Sequence, residues 1–150
     1  MASLDQIVEV FSGTSLAHIN INSFGTGEAF EFAIDGDEIY CSVFLLQPFV
    51  YSQGTREGIE KIQFQMLVLD KPDVGEEQEL ELISKCKNTA DDIIYYIQNF
   101  HKDVLMIDPN YTMTTVTEYS DNIDCGVLVD LTITTKKSLN RCDIEDLFIF

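Results

Sequence analysis

Histidine and cysteine are the residues from which acid–base or nucleophilic catalysis could be built, and the chain has two histidines and four cysteines. They are His18, His101, Cys41, Cys86, Cys125 and Cys142. The cysteines form no CxxC pair, and no local signature joins one of them to a histidine. We therefore predict no catalytic residue, and we interpret the histidines as structural and the cysteines as reduced, small apolar side chains of a protein made in a cytoplasm. A disulfide between distant cysteines stays open, because sequence does not fix connectivity.

Two acidic runs and one pair of glycines could hold an ion. The carboxylates that could offer oxygen ligands to calcium are Asp35, Asp37 and Glu38 in one run and Asp121 and Asp124 in the other. Neither run has the spacing of an EF-hand loop, so solvated turns are the better interpretation. The glycines of Gly25-Thr26-Gly27 precede a predicted strand, whereas phosphate binding needs the N-terminus of a helix. We predict no metal site and no cofactor.

The composition limits the class of protein. The 150 residues include 26 acidic and 9 basic side chains, for a net charge of −17, and 45% of the residues are apolar. Such a chain can fold as one domain with a substantial core. Lys and Arg are scarce, so we expect neither simple nucleic-acid binding nor a membrane-surface helix. No run approaches the roughly 18 apolar residues of a membrane span, and the N-terminus lacks the pattern of a secretion signal.

Apolar spacing predicts two helices. Ser3 and Gln6 form a capping box at the start of the first helix, which ends at Gly13 or continues to about His18. The second helix spans about Gly75 to Phe100 and keeps a three-to-four spacing of apolar residues over six turns. Its acidic first turns complement the helix dipole.

Between and after the helices, alternating apolar residues predict strands. The predicted strands are Ala29–Ile34, Ile39–Leu46 (apolar on both faces), a strand beginning at Ile59, Tyr111–Tyr119 and Cys125–Thr135. Short turns between consecutive strands favour antiparallel pairing. We therefore predict an α+β fold, in which a mostly antiparallel sheet with an extended hairpin is packed by the long amphipathic helix and the N-terminal helix. Residues 1–143 form this single domain.

Two segments do not fit a self-contained monomer. Residues 144–150 form an apolar tail that could dock on its own core or act as an arm on a neighbour, and both readings stay open. Residues 47–58 are predicted to be a hairpin connection longer than a simple turn requires, which favours partner contact. The candidate contact residues in these two segments are Pro48, Phe49, Val50, Tyr51, Arg56, Leu147, Phe148, Ile149 and Phe150.

Two short motifs resemble segments of small tailed-phage proteins associated with head–tail genes. Residues 21–28 are similar to an INSFGxGD-like segment that follows a first helix in that family, and they read Ile21-Asn22-Ser23-Phe24-Gly25-Thr26-Gly27-Glu28. Residues 140–144, which include Arg141 and Cys142, are similar to a DRC-x-[IV] ending. The order of elements resembles the tail-terminator and neck-ring fold. Thr26 stands where an aromatic residue is expected, and Asn140 stands where an aspartate is expected.

This resemblance implies a non-enzymatic structural protein of the virion neck or tail. Such proteins assemble into six- or twelve-fold rings between the portal, adaptor and tail proteins, and DNA passes through the channel without specific binding. Six copies of −17 sum to −102, and an acidic lumen would repel DNA phosphate. In this interpretation, Asn22, Ser23 and Phe24 belong to a structural loop, where Gly25 and Gly27 permit backbone angles that other residues resist.

Two other interpretations stay open. An acidic inhibitor that mimics DNA, or another non-enzymatic binding module, requires carboxylates arrayed along one elongated face. An enzyme that uses cysteine and histidine requires a thiol of lowered pKa close to His18 or His101.

Overall fold

The computed structural model describes residues 3–27, 40–53, 58–71, 79–117, 124–136 and 149. These residues form the predicted α+β fold, with the elements α1 (Leu4–Ala17), β1 (Ser23–Gly27), β2 (Ser42–Gln53), β3 (Ile59–Asp70), α2 (Glu79–Phe100), β4 (Met106–Ile107), β5 (Thr112–Thr117) and β6 (Cys125–Lys136). No helix within these ranges is long and apolar enough to cross a membrane.

Helix α1 starts at the predicted capping box. The Ser3 hydroxyl accepts from the Gln6 backbone N–H at 3.3 Å, and the Gln6 side chain accepts from the Ser3 N–H at 3.0 Å. Two backbone donors that the first turn leaves open are satisfied in this way. The helix runs through Gly13 to Ala17, which is the longer of the two predicted forms.

Helix α2 confirms the predicted amphipathic stripe. Its buried side chains are Cys86, Thr89, Ala90, Ile93, Ile94 and Ile97, which recur every three or four residues. The described helix begins at Glu79, so the predicted start at Gly75 lies outside the described residues. The helix packs on β3 and β6 and also contacts α1.

The six strands form one sheet in the order β1-β2-β3-β6-β4, with β5 also paired to β6. Strands β2, β3 and β6 have 12 residues each and pair antiparallel. The mostly antiparallel prediction is confirmed. The pairing of β1 with β2 is parallel, however, because Ser23 lies opposite Ser42 and Gly27 opposite Leu46. The strand predicted at Ala29–Ile34 lies outside the described residues.

The prediction of a loop over the motif segment is wrong, because Ser23–Gly27 is strand β1. Asn22 fixes the start of this strand: its backbone N–H donates to the Cys41 carbonyl at 2.8 Å, and its side chain donates to the Tyr40 carbonyl at 2.6 Å. A Cβ added at Gly25 would lie 2.8 Å from the Phe44 ring. Gly25 is therefore explained by close packing against the next strand, while Gly27 has the positive φ, 150°, that was expected of this segment.

The prediction of a long hairpin connection from residue 47 is also wrong. Residues 47–53 continue β2, and its register with β3 shifts between Leu46 and Val50. Pro48 lies in this shift, where a residue without a backbone N–H is tolerated in a strand. The hairpin is extended as predicted, but its length comes from the paired strands.

The sheet is apolar on both faces in its inner half. The face toward the helices carries Val43, Leu45, Phe64, Met66, Val127 and Val129, which pack with Ile7, Phe11 and the stripe of α2. The other face carries a second buried cluster of Tyr40, Phe44, Leu46, Leu67 and Leu69. The prediction that β2 is buried on both faces is confirmed. Strand β3 has one face that is more exposed to solvent, at Lys61, Gln63 and Gln65, and this exposure is limited to the first half of the strand.

Candidate functional site

Among the described residues, the outer half of β2 is paired on one side only, and we call it the free edge of β2. Strand β1 covers β2 only from Ser42 to Leu46, whereas Val50 to Gln53 pair with β3 alone. In the part of the chain that the structure describes, nothing pairs with the other side of this half. A strand edge of this kind presents unpaired backbone N–H and C=O groups to an incoming strand.

The side chains on the free edge of β2 differ in how far they are exposed to solvent. Val50 is 49% exposed and Tyr51 is 47% exposed, and Pro48 is exposed as well. Phe49 is half-buried and packs on Phe64, with ring centroids 5.2 Å apart, so part of its surface belongs to the core packing and its contact role stays a prediction. Arg56 lies outside the described residues.

Tyr51 can act as a hydrogen-bond donor at this edge. Its partial burial and the nearby carboxylate of Glu60 raise the pKa of the phenol above its ordinary value. The hydroxyl therefore keeps its proton at physiological pH. An aromatic ring with a polar tip, half exposed on an edge strand, suits a contact with another chain.

A depression of 340 Å³ adjoins the register shift of β2. It is lined by residues from three adjacent strands, Leu46, Gln47, Pro48, Val50, Gln63, Phe64, Gln65, Asp130, Leu131 and Thr132. The Gln65 amide donates to the Asp130 carboxylate at 2.9 Å, which orients both polar groups. This depression could receive a side chain of a strand that pairs with the free edge.

The sheet has a second edge on the side of β6. Strands β4 and β5 both pair with β6, and β5 is mostly exposed. Its alternating threonines predicted a strand, but they gave no indication of a contact surface.

The remaining candidate contact residues lie in the tail. Ile149 is described and fully exposed. The other tail residues of the prediction, and the family-like ending, lie outside the described residues: Leu147, Phe148, Phe150, Arg141 and Cys142. The division into a domain over 1–143 and an arm over 144–150 stays a prediction.

His18, at the end of α1, contacts the middle of α2. Its Nδ1 accepts from the Asn20 backbone N–H at 3.1 Å, so Nε2 carries the proton and donates to the Asp92 carboxylate at 2.9 Å. A general base needs a free nitrogen close to the proton it removes. Both nitrogens of His18 are engaged, which fits a structural role.

Three cysteines are buried and free: Cys41, Cys86 and Cys125. A hydrogen bond with Cys41, together with burial, raises the pKa of the Cys86 thiol. Burial and the nearby Glu79 carboxylate raise the pKa of Cys125 to about 11. Both thiols are therefore protonated at neutral pH, whereas the nucleophile in cysteine chemistry is the thiolate.

We expect these three thiols to resist alkylation in the folded protein. Iodoacetamide at neutral pH should leave Cys41, Cys86 and Cys125 unmodified, because they are buried and the raised pKa values of Cys86 and Cys125 keep those thiols protonated, and should modify all three after denaturation. Peptide mapping by mass spectrometry measures this. If Cys86 in the folded protein reacted faster than free cysteine, it would be the reactive thiol that an enzyme using cysteine and histidine requires, and the result would support that interpretation.

The structure also bears on the two acidic runs. No group of three His, Cys, Asp or Glu side chains within the described ranges is placed to hold a metal ion. Asp124 is buried and accepts from the Tyr40 hydroxyl at 2.9 Å. The prediction of a solvated turn is therefore wrong for Asp124, whereas Asp35, Asp37, Glu38 and Asp121 lie outside the described residues.

No model of a known protein family matches the chain, and no curated protein matches it in a sequence search.

Proposed function

We propose that the chain is a non-enzymatic structural subunit of a tailed-phage neck or tail. In this proposal, six or twelve copies form a ring around the DNA channel of the virion, next to portal, adaptor or tail proteins. The observation that carries the proposal is the free edge of β2 with its exposed Val50 and Tyr51. The motif resemblance of residues 21–28 and 140–144 supplies the phage context.

The two sheet edges differ, and this difference favours a ring. The free edge of β2 is on one side of the sheet, and the edges of β4 and β5 are on the other. Pairing one edge with the different edge of the next copy gives a head-to-tail contact, which closes into a ring if the rotation between copies permits it. Ring closure would remove the exposed edges that otherwise invite aggregation.

The net charge supports passage of DNA through such a ring. Each copy carries −17, and the field of several copies repels phosphate over the distance of a Debye length, about 8 Å at physiological salt. DNA would then slide without binding. The charge also supports the alternative of an acidic DNA mimic, which acts as a monomer or dimer.

We expect the double substitution Val50→Lys/Tyr51→Lys to abolish ring assembly. It places two cations on an edge strand, which is how natural sheets prevent edge pairing, and it removes the apolar contact. Sedimentation velocity should show the wild type as a large oligomer and the variant as a monomer. Negative-stain microscopy should show rings for the wild type alone.

The matched control is Leu80→Lys/Tyr95→Lys, which makes the same change at two exposed apolar positions of α2. It should assemble as the wild type does. A wild type that stays monomeric at high concentration and competes with DNA for a DNA-binding protein would contradict the ring and support the mimic. Equal loss of assembly in both variants would mean that charge, and not the β2 edge, controls association.

A further inference from the structure

Helices α1 and α2 enclose a groove of 960 Å³ that the sheet edges do not touch. It is lined by residues of α1 and its end and by residues of α2 and the segment after it, among them Val10, Ala17, Ile93 and Tyr96. This volume is at the upper end of the range for ligand pockets and is ample for one or two large side chains of a peptide. We call it the α1–α2 groove.

The α1–α2 groove has an apolar floor and an acidic rim. Val10, Ala17, Ile93 and Val104 supply aliphatic surface, and the carboxylates of Glu9, Asp92 and Asp103 supply negative charge. No Lys or Arg occurs among the described residues that line it. The groove is therefore complementary to an apolar group flanked by cations.

An aromatic shelf extends one side of the groove. Tyr96 lines the groove and stacks on Phe100, with ring centroids 4.6 Å apart, and both rings are largely exposed. The ring of His101 lies 5.8 Å from that of Tyr96. Exposed aromatic faces of this kind attract lysine and arginine as well as apolar side chains.

Contacts within the chain hold the two helices that form the groove. The His18–Asp92 hydrogen bond of 2.9 Å connects the end of α1 to α2, and the buried Ile7, Phe11 and Ser15 hold α1 on the core. A groove that needs no rearrangement binds its partner at lower entropic cost.

We propose that the α1–α2 groove binds a segment of a partner protein in which one or two apolar side chains are flanked by lysine or arginine. A helix of this pattern lays its apolar face into such grooves, with the charges at the rim. The end of the chain is poorly suited to an acidic rim, because residues 143–146 include three carboxylates.

Binding of a synthetic peptide tests this proposal. The probe is a fluorescein-labelled peptide of twelve residues with leucine at helical spacing and lysine elsewhere, and fluorescence anisotropy at physiological ionic strength measures its dissociation constant. A peptide with glutamate in place of lysine is the first control. We expect binding of the lysine peptide and none of the glutamate peptide.

Variants of the groove locate the binding. Glu9→Gln/Asp103→Asn removes two rim charges but keeps the His18–Asp92 bond, and should weaken binding about fivefold. The matched control Glu60→Gln/Glu81→Gln removes two charges outside the groove and should change binding less than about twofold. Ala17→Arg should weaken binding tenfold or more, because it places a large cation in the lining of the groove while retaining good helix propensity. Circular dichroism verifies that each variant is folded.

Three results would overturn the proposal. If the rim variant and its matched control bound the peptide equally weakly, the binding would be a general attraction to negative charge. If Ala17→Arg bound the peptide as well as the wild type does, the peptide would bind outside the groove. If Ala17→Arg instead dissociated the chain's own oligomers in the absence of peptide, the occupant would be a second copy. The free-edge variant Val50→Lys/Tyr51→Lys should bind the peptide normally, so failure of the ring and failure of the groove are distinguishable.

Discussion

Gly126→Ala is expected to destabilise the protein by about 3 kcal/mol or more, or to prevent folding altogether. Gly126 lies in β6 opposite Leu69 of β3, and Val116 of β5 pairs with it on the other side. A Cβ added there would overlap the Val68 carbonyl oxygen and lie 2.9 Å from its carbonyl carbon. The obstacle is backbone in the middle of the sheet, so no side-chain rotation relieves it.

Gly13→Ala is the matched control for this prediction. Gly13 lies inside α1, and an added Cβ meets nothing within 4 Å. Alanine is favoured over glycine in a helix by roughly 0.5–1 kcal/mol, so this variant should be slightly more stable than the wild type. Chemical denaturation measures both free energies of unfolding. A Gly126→Ala protein as stable as the wild type would mean that β3 and β6 are not packed in the register described.

The second large effect is expected of Phe11→Ala, at about 3–5 kcal/mol. Phe11 is fully buried and lies edge-to-face on Phe64, with centroids 5.4 Å apart and an interplanar angle of 86°. The substitution removes this contact and leaves a cavity between α1 and the sheet. Because 5–15 kcal/mol is typical of whole domains, the loss is a large part of the total stability.

Leu16→Ala is the control for Phe11→Ala on the same helix. Leu16 is 52% exposed, so we expect a loss below about 1 kcal/mol. Thermal unfolding followed by circular dichroism compares the two variants. A similar loss of stability in both variants would contradict the packing of α1 on the sheet through Phe11.

Unfolding of α1 would also remove one wall of the α1–α2 groove. Partly unfolded Phe11→Ala protein should therefore bind the lysine peptide less well.

The elements that the sequence predicts best are those whose pattern is local. Helix α2 repeats its apolar residues every three or four positions, and β6 alternates from Cys125, so each carries its own signal. The capping box of Ser3 and Gln6 also needs no information from distant residues. The predicted ends of β6 are within one residue of those observed.

The elements that the sequence misassigns depend on distant partners. Gly25 and Gly27 argue against a strand, yet Ser23–Gly27 pairs with β2 because Asn22 fixes its start on residues 40 and 41. Pro48 likewise suggests a loop, although the register shift accommodates it within β2. The α1–α2 groove has no sequence signal, since its acidic rim comes from residues more than 80 positions apart along the chain, such as Glu9 and Asp103.

The parallel pairing of β1 has a consequence for the order in which the strands pair during folding. Strand β1 precedes β2 in the chain, has only five residues and pairs on one side in the described structure. Strand β3, in contrast, pairs with β6 along its whole length and with β2 along most of it. Parallel pairs are slightly weaker per residue and need a longer connection, so β1 can join only after β2 is in place. Detachment of β1 would leave the pairing of the three long strands intact.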